Sequence, residues 1–162
     1  MKLFKRKKKR GWIRKSINII SLTVLFFLSI PQSFDLPVEG MKINDFNHES
    51  YWYYPWGKSG THKGVDIFAR TGTSIHSSTR GIVLYAGQIS LGGNFVIVLG
   101  PKWRLHYYAH LHEISTSSLS FVSQSTKIGT VGTSGKTRLD GIEPRLLGHR
   151  THQGRLAGAV RS

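Results

Sequence analysis

From Val65 to Gly132 the chain is cut by glycine and proline turn signals into apolar or alternating segments too short for helices, and this limits it to a β-built domain. Gly81-Ile82-Val83-Leu84-Tyr85-Ala86 is one such segment. Phe95-Val96-Ile97-Val98-Leu99, entered through Gly92-Gly93-Asn94 and left through Gly100-Pro101, is another, and its unbroken apolar character predicts burial on both faces. Lys127-Ile128-Gly129-Thr130-Val131-Gly132 predicts a late strand. In Arg104-Leu105-His106-Tyr107-Tyr108-Ala109-His110-Leu111 strict alternation predicts a polar face of Arg104, His106, Tyr108 and His110 opposite a core face of Leu105, Tyr107, Ala109 and Leu111. His106 then reads as a solvated histidine, and His112 as a neighbour without a role. No sustained helical periodicity follows Ile30, so the expected fold is mainly β, an antiparallel sheet or sandwich over residues 48–135.

The first thirty residues are of another kind. Nine of the 23 Lys and Arg lie in the first fifteen positions, and residues 16–30 behind them carry no charge and end at Pro31. Fifteen helical residues cover about 22 Å against a hydrocarbon core of about 30 Å, with Arg14 and Lys15 able to snorkel and Trp12 suited to the interface. Around Ser29-Ile30-Pro31 there is no good small-x-small cleavage site, which favours an uncleaved signal anchor over a removed signal peptide. Residues 1–15 are then cytoplasmic, everything after Pro31 is extracytoplasmic, and residues 31–47 read as a linker.

The formal charge of +15 does not imply a nucleic-acid partner, because between Pro37 and Gly135 eight basic residues face five acidic ones. With no cysteine, disulfides, thiolate metal sites and cysteine nucleophiles are excluded. Any metal must rest on His, Asp and Glu. Thr61-His62-Lys63-Gly64-Val65-Asp66 supplies two such groups. On a strand starting near His62, the period of two turns His62 and Asp66 to one face, and Gly64 between them leaves room for an ion. Neutral imidazole and carboxylate oxygen are both ligands that zinc accepts. Just upstream, Tyr51-Trp52-Tyr53-Tyr54-Pro55-Trp56 reads first as a lid on the core and second as one wall of a cleft.

Taken together, His62-Lys63-Gly64-Val65-Asp66-Ile67-Phe68-Ala69, Gly72-Thr73, Gly81-Ile82-Val83, Gly92-Gly93-Asn94, His106-Tyr107-Tyr108-Ala109-His110-Leu111 and Ile128-Gly129-Thr130-Val131-Gly132-Thr133-Ser134-Gly135 resemble the lysostaphin-type zinc endopeptidases of peptidoglycan. The resemblance covers 85 of 162 residues, Tyr51 to Gly135. It implies a narrow groove, one zinc ion, and hydrolysis of stem peptides or cross-bridges in the cell wall. By resemblance, His62 and Asp66 match two metal ligands, and His110 matches a catalytic histidine beside the reacting water.

After Gly135 the pattern departs. The family's His-x-His strand, which holds the third ligand, has no counterpart among residues 136–162, where His149 and His152 stand three apart. The expectation is an altered, basic, poorly ordered tail without a closing strand, and a zinc ion weakly held unless His149 or His152 substitutes. Two functions follow: a membrane-anchored zinc endopeptidase impaired by the missing ligand, or a metal-free module of the same fold that binds the wall or regulates a hydrolase.

Overall fold

The structure is a computed structural model and describes residues 2–54, 60–90, 92–135 and 153–161, with 2–10, 43 and 153–161 by backbone alone. One long helix comes first, α1 (Lys2–Ser29). The strands are β1 (Phe46–Asn47), β2 (Val65–Arg70), β3 (Ser74–His76), β4 (Gly81–Ile89), β5 (Gly93–Leu99), β6 (Leu105–Leu111), β7 (Phe121–Val122), β8 (Lys127–Thr130) and β9 (Gln153–Arg161). After α1 the helical pieces among the described residues are single turns, such as Pro101–Trp103.

Seven strands form an antiparallel sheet in the order β1-β2-β9-β6-β5-β4-β7, curled into a half-barrel, and β3 pairs with β8 in a second, two-stranded sheet. The mainly β, antiparallel expectation is borne out. Its core lies between the two sheets, where Val83, Val96, Val98, Tyr108 and Leu111 of the large sheet meet Ile75, Ile128 and Val131. Each such aliphatic side chain contributes roughly 1.5–3 kcal/mol on burial. The other face of β5 and β6 carries a smaller cluster of Phe95 and Ala109 with Ile97 and Tyr107. The apolar run of β5 is thus shared between two clusters, as its composition predicts.

Three expectations need correction. The first is the missing closing strand: β9 pairs antiparallel with β2 on one side, Val65 opposite Gly158 to Arg70 opposite Gln153, and with β6 on the other, Leu105 opposite Arg161 to Ala109 opposite Ala157. Its glycines and alanines carry little strand propensity of their own. Two ladders, one on each edge, define it instead, and β2 and β6 would otherwise each present an open edge.

The second concerns residues 31–47, which are strapped to the domain. Arg80 Nη2 donates to Pro31 O at 3.1 Å, Arg104 Nη1 to Gln32 Oε1 at 2.8 Å and Gln124 Nε2 to Ser33 Oγ at 2.9 Å. His76 N donates to Pro37 O at 2.7 Å, Val38 is 3% exposed within the core, and β1 joins the large sheet.

The third is the facing of β6. His106 and Tyr108 are buried toward the main core, and Tyr107 lies on the opposite face with Ala109. His106 is 1% exposed, and burial, with Arg104 alongside, pushes its pKa from 6.5 down to about 4. Below about pH 6.5 the unfolded chain binds a proton that the native state refuses until about pH 4. The contribution of His106 to stability is therefore complete above pH 6.5 and falls as pH drops toward 4, by about 3 kcal/mol in all. Urea unfolding at pH 7.5 and pH 4 checks this: wild type loses that much more between the two than His106→Gln does.

Candidate metal centre and catalytic histidine

His62 does not lie on a strand. It sits in the bend before β2, and its placement comes from an exchange of backbone bonds with the aromatic segment: Trp52 N donates to His62 O at 2.7 Å and His62 N to Tyr53 O at 2.9 Å. Tyr51, Trp52, Tyr53 and Tyr54 of that segment are exposed and do not cover the core. Pro55 and Trp56 lie outside the described residues.

Ser50 fixes both candidate ligands. Its carbonyl lies 2.7 Å from His62 Nδ1, which assigns the ring proton to Nδ1 and turns the Nε2 lone pair toward Asp66. Its hydroxyl accepts from Asp66 N at 2.9 Å. A histidine whose Nδ1–H is held by a carbonyl is the usual second-layer support of a metal ligand. Nothing in the spacing around Ser50 announces this role.

His62 Nε2 and Asp66 Oδ1 are 3.8 Å apart, and both residues are buried. An ion bound to both at 2.0–2.1 Å with a tetrahedral angle asks for about 3.4 Å, so the pair fits two positions of a zinc site after a small closure. Among the described residues no group of three or more His, Cys, Asp or Glu converges. The strand beside Asp66 offers no donor of that kind, since Gln153-Gly154-Arg155-Leu156-Ala157-Gly158-Ala159-Val160-Arg161 contains none of those four residue types. His149 and His152 lie outside the described residues.

His110 reaches the same face by a β-bulge. Between the pairs Asn94–Leu111 and Val96–Tyr108, two residues of β6, Ala109 and His110, oppose the single Phe95. His110 takes the left-handed conformation with φ of 62°, at a cost of roughly 1–2 kcal/mol for a residue with a side chain. The register runs Asp66–Ala157–Ala109 straight across β2, β9 and β6. Residues directly opposed across a ladder point to one face, so Asp66 and Ala109 share a face, two strand spacings or about 9.6 Å apart, and His110 is the next residue.

His110 Nδ1 lies 2.8 Å from Ser134 O, which places its proton there and the basic lone pair on Nε2. Ser134 is itself clamped, its hydroxyl accepting from Asn94 N and donating to Leu111 O. The clamp depends on a glycine crossing. Gly93 and Gly135 both have positive φ, and a Cβ on Gly135 would lie 2.3 Å from Gly93 N. On this face Tyr85 stacks on Phe95 at 4.9 Å and Phe95 meets Tyr107 at 5.3 Å, and burial pushes the Tyr107 phenol pKa up. His112 is exposed on the far side of Leu111.

The curled antiparallel sheet thus presents a supported His/Asp pair in line with a bulged histidine, the arrangement that the resemblance to the lysostaphin-type endopeptidases implies. The Peptidase family M23 profile matches residues 60–155, well over half the chain, and the chain belongs to that family. It is 31% identical over 107 residues to the L-Ala–D-Glu endopeptidase of Bacillus subtilis (strain 168), covering 64% of this chain and 32% of that protein. It is 32% identical over 106 residues to the murein hydrolase activator NlpD of Escherichia coli (strain K12), covering 64% of this chain and 26% of that protein. The chain thus spans a third or less of the length of these relatives. Its fold superimposes on the catalytic domain of the antimicrobial peptidase lysostaphin from Staphylococcus simulans with a TM-score of 0.55 and 24% identity, over 72% of this chain and 80% of that one.

Proposed function

We propose that this chain is a membrane-anchored endopeptidase directed at peptidoglycan peptides, dependent on one zinc ion and slow because, among the described residues, only His62 and Asp66 stand where they could hold that ion. The observation that carries the reading is the Ser50-supported pair of His62 and Asp66 in register with the bulge at His110. In this reading His62 Nε2 and Asp66 Oδ1 hold the metal. A bound zinc ion supplies Lewis acidity, drawing the pKa of a water toward ~7 and polarising a scissile carbonyl. His110, with Nδ1 directed to Ser134 O, uses Nε2 to take the proton of the attacking water and return it to the leaving amine. The anchor is α1, whose Gly11–Ser29 window has 19 residues, none of it buried against the domain, and covers about 28 Å at 1.5 Å per residue. In this reading the β domain lies outside the cytoplasmic membrane.

A second reading is favoured by one observation, the absence of a His, Asp, Glu or Cys on β9. It makes the chain a wall-binding or hydrolase-regulating module without turnover, in keeping with similarity to a protein named as a murein hydrolase activator. Zymography on purified sacculi separates the two. A clearing band that disappears in His62→Ala supports the peptidase, whereas sedimentation with sacculi and no clearing supports the module.

A further inference from the structure

We propose that the end of the large sheet bearing the turn Pro101–Trp103 rests on the lipid surface that α1 crosses, with Trp103 and Phe121 in the headgroup layer. The inference rests on the anchor reading above. Phe27 lies two residues, about 3 Å of helix rise, before the end of the apolar window at Ser29. Its ring is 5.1 Å from that of Trp103. If Phe27 is at the outer edge of the hydrocarbon, Trp103 is there too.

The strap leaves no slack for the domain to swing away. Pro31, Gln32 and Ser33, immediately after the helix, are bonded to Arg80, Arg104 and Gln124. The domain therefore meets the membrane with one end, and that end has the composition of an interfacial surface.

The register Phe121–Ile82–Leu99–Leu105 forms a single row across β7, β4, β5 and β6 at the end where Pro101–Trp103 projects. On or beside this row Phe121 is 82% exposed, Trp103 45% and Leu105 38%. Lys102 and Arg80 are exposed among them. Tryptophan with flanking cations is the side-chain set that favours the boundary between headgroups and acyl chains, and it gains nothing by facing bulk water. Lys102 and Trp103 are also held at φ of 59° and 60°, two successive left-handed residues with side chains, a strained backbone. A contact with lipid accounts for strain retained in an exposed turn.

This orientation sets the reach of the enzyme. From Leu105 to His110 a strand advances about 17 Å at 3.3 Å per residue, so the candidate site is held within roughly 20 Å of the bilayer and meets the innermost wall peptides.

The absence of cysteine makes the test direct. Full-length Lys102→Cys, Phe121→Cys, Ser90→Cys and Leu22→Cys variants, each labelled with a small fluorophore, are reconstituted into phosphatidylethanolamine and phosphatidylglycerol vesicles containing spin-labelled lipid. Labels at 102 and 121 are expected to lose intensity roughly twofold or more with a headgroup-level quencher, and the label at 90, at the far end of the β4–β5 hairpin, to be unchanged. The label at 22 reports the anchor through an acyl-chain quencher. Quenching at 22 with none at 102 and 121 overturns the proposal and leaves the anchor standing. Quenching at 102 and 121 without 22 upholds the lipid contact and removes the anchor. No quenching at any position removes both.

Discussion

Replacing Ala157 with histidine is expected to tighten zinc binding about tenfold or more, or at least 1.4 kcal/mol. The position follows from register alone. Ala157 is the Cα partner of Asp66 on one side and of Ala109 on the other, and directly opposed residues have Cβ atoms about 4.5–5.5 Å apart. An imidazole there stands beside the carboxylate that already faces His62 at 3.8 Å. Catalytic zinc ordinarily has three protein ligands and one open position, and the chain as it stands offers two among the described residues. Isothermal titration of the full chain in detergent measures the difference, with Ala159→His as control. Residue 159 lies on the same face of β9 but beyond the end of the β2 ladder, which stops at Gly158. The unmodified chain is expected to bind zinc no more tightly than about 1 μM. A submicromolar site in the unmodified chain, or equal gains at 157 and 159, would refute this account of the centre.

How far the fold could be read beforehand depends on whether an element is specified locally. β4, β5 and β8 were legible because their apolar runs end at glycines, and β5 even showed its burial on two faces. The alternation in β6 was legible too, yet it assigned the faces wrongly. A bulge adds one residue at His110, and a period-two pattern carries no mark of where its parity changes. His106 and Tyr108 therefore went to the wrong side, although His110 itself was placed on the polar one. β9 was invisible for the opposite reason: its glycines and alanines become a strand only between two partners distant in sequence. The strap at residues 31–39 is likewise made of contacts to β3 and to Arg80 and Arg104, just before β4 and β6, that no local pattern encodes. At the site, the pairing of His62 with Asp66 was read from spacing, but the mechanism of that pairing was not. A strand would have aligned them; instead a bend held by Tyr53 and Ser50 does so.

Removing the imidazole of His110 should separate catalysis from metal binding. In the Ala157→His background loaded with zinc, His110→Ala is expected to lower the release of dye from labelled sacculi about a hundredfold to ten-thousandfold, the usual contribution of a positioned acid–base group. Zinc affinity should stay within about twofold, because His110 is anchored through Nδ1 to Ser134 O and enters from β6, two strands away from Asp66. His62→Ala in the same background should abolish both turnover and tight zinc binding. The pairing of the two variants is what discriminates. A purely structural role for His110 would appear as a lowered unfolding midpoint with kcat and KM falling together, and relaxation of its left-handed backbone in a His110→Gly variant would then restore activity. If instead His110→Ala weakened zinc as much as His62→Ala, the histidine would be a ligand, and the division of labour between the bend before β2 and the bulge on β6 would have to be redrawn.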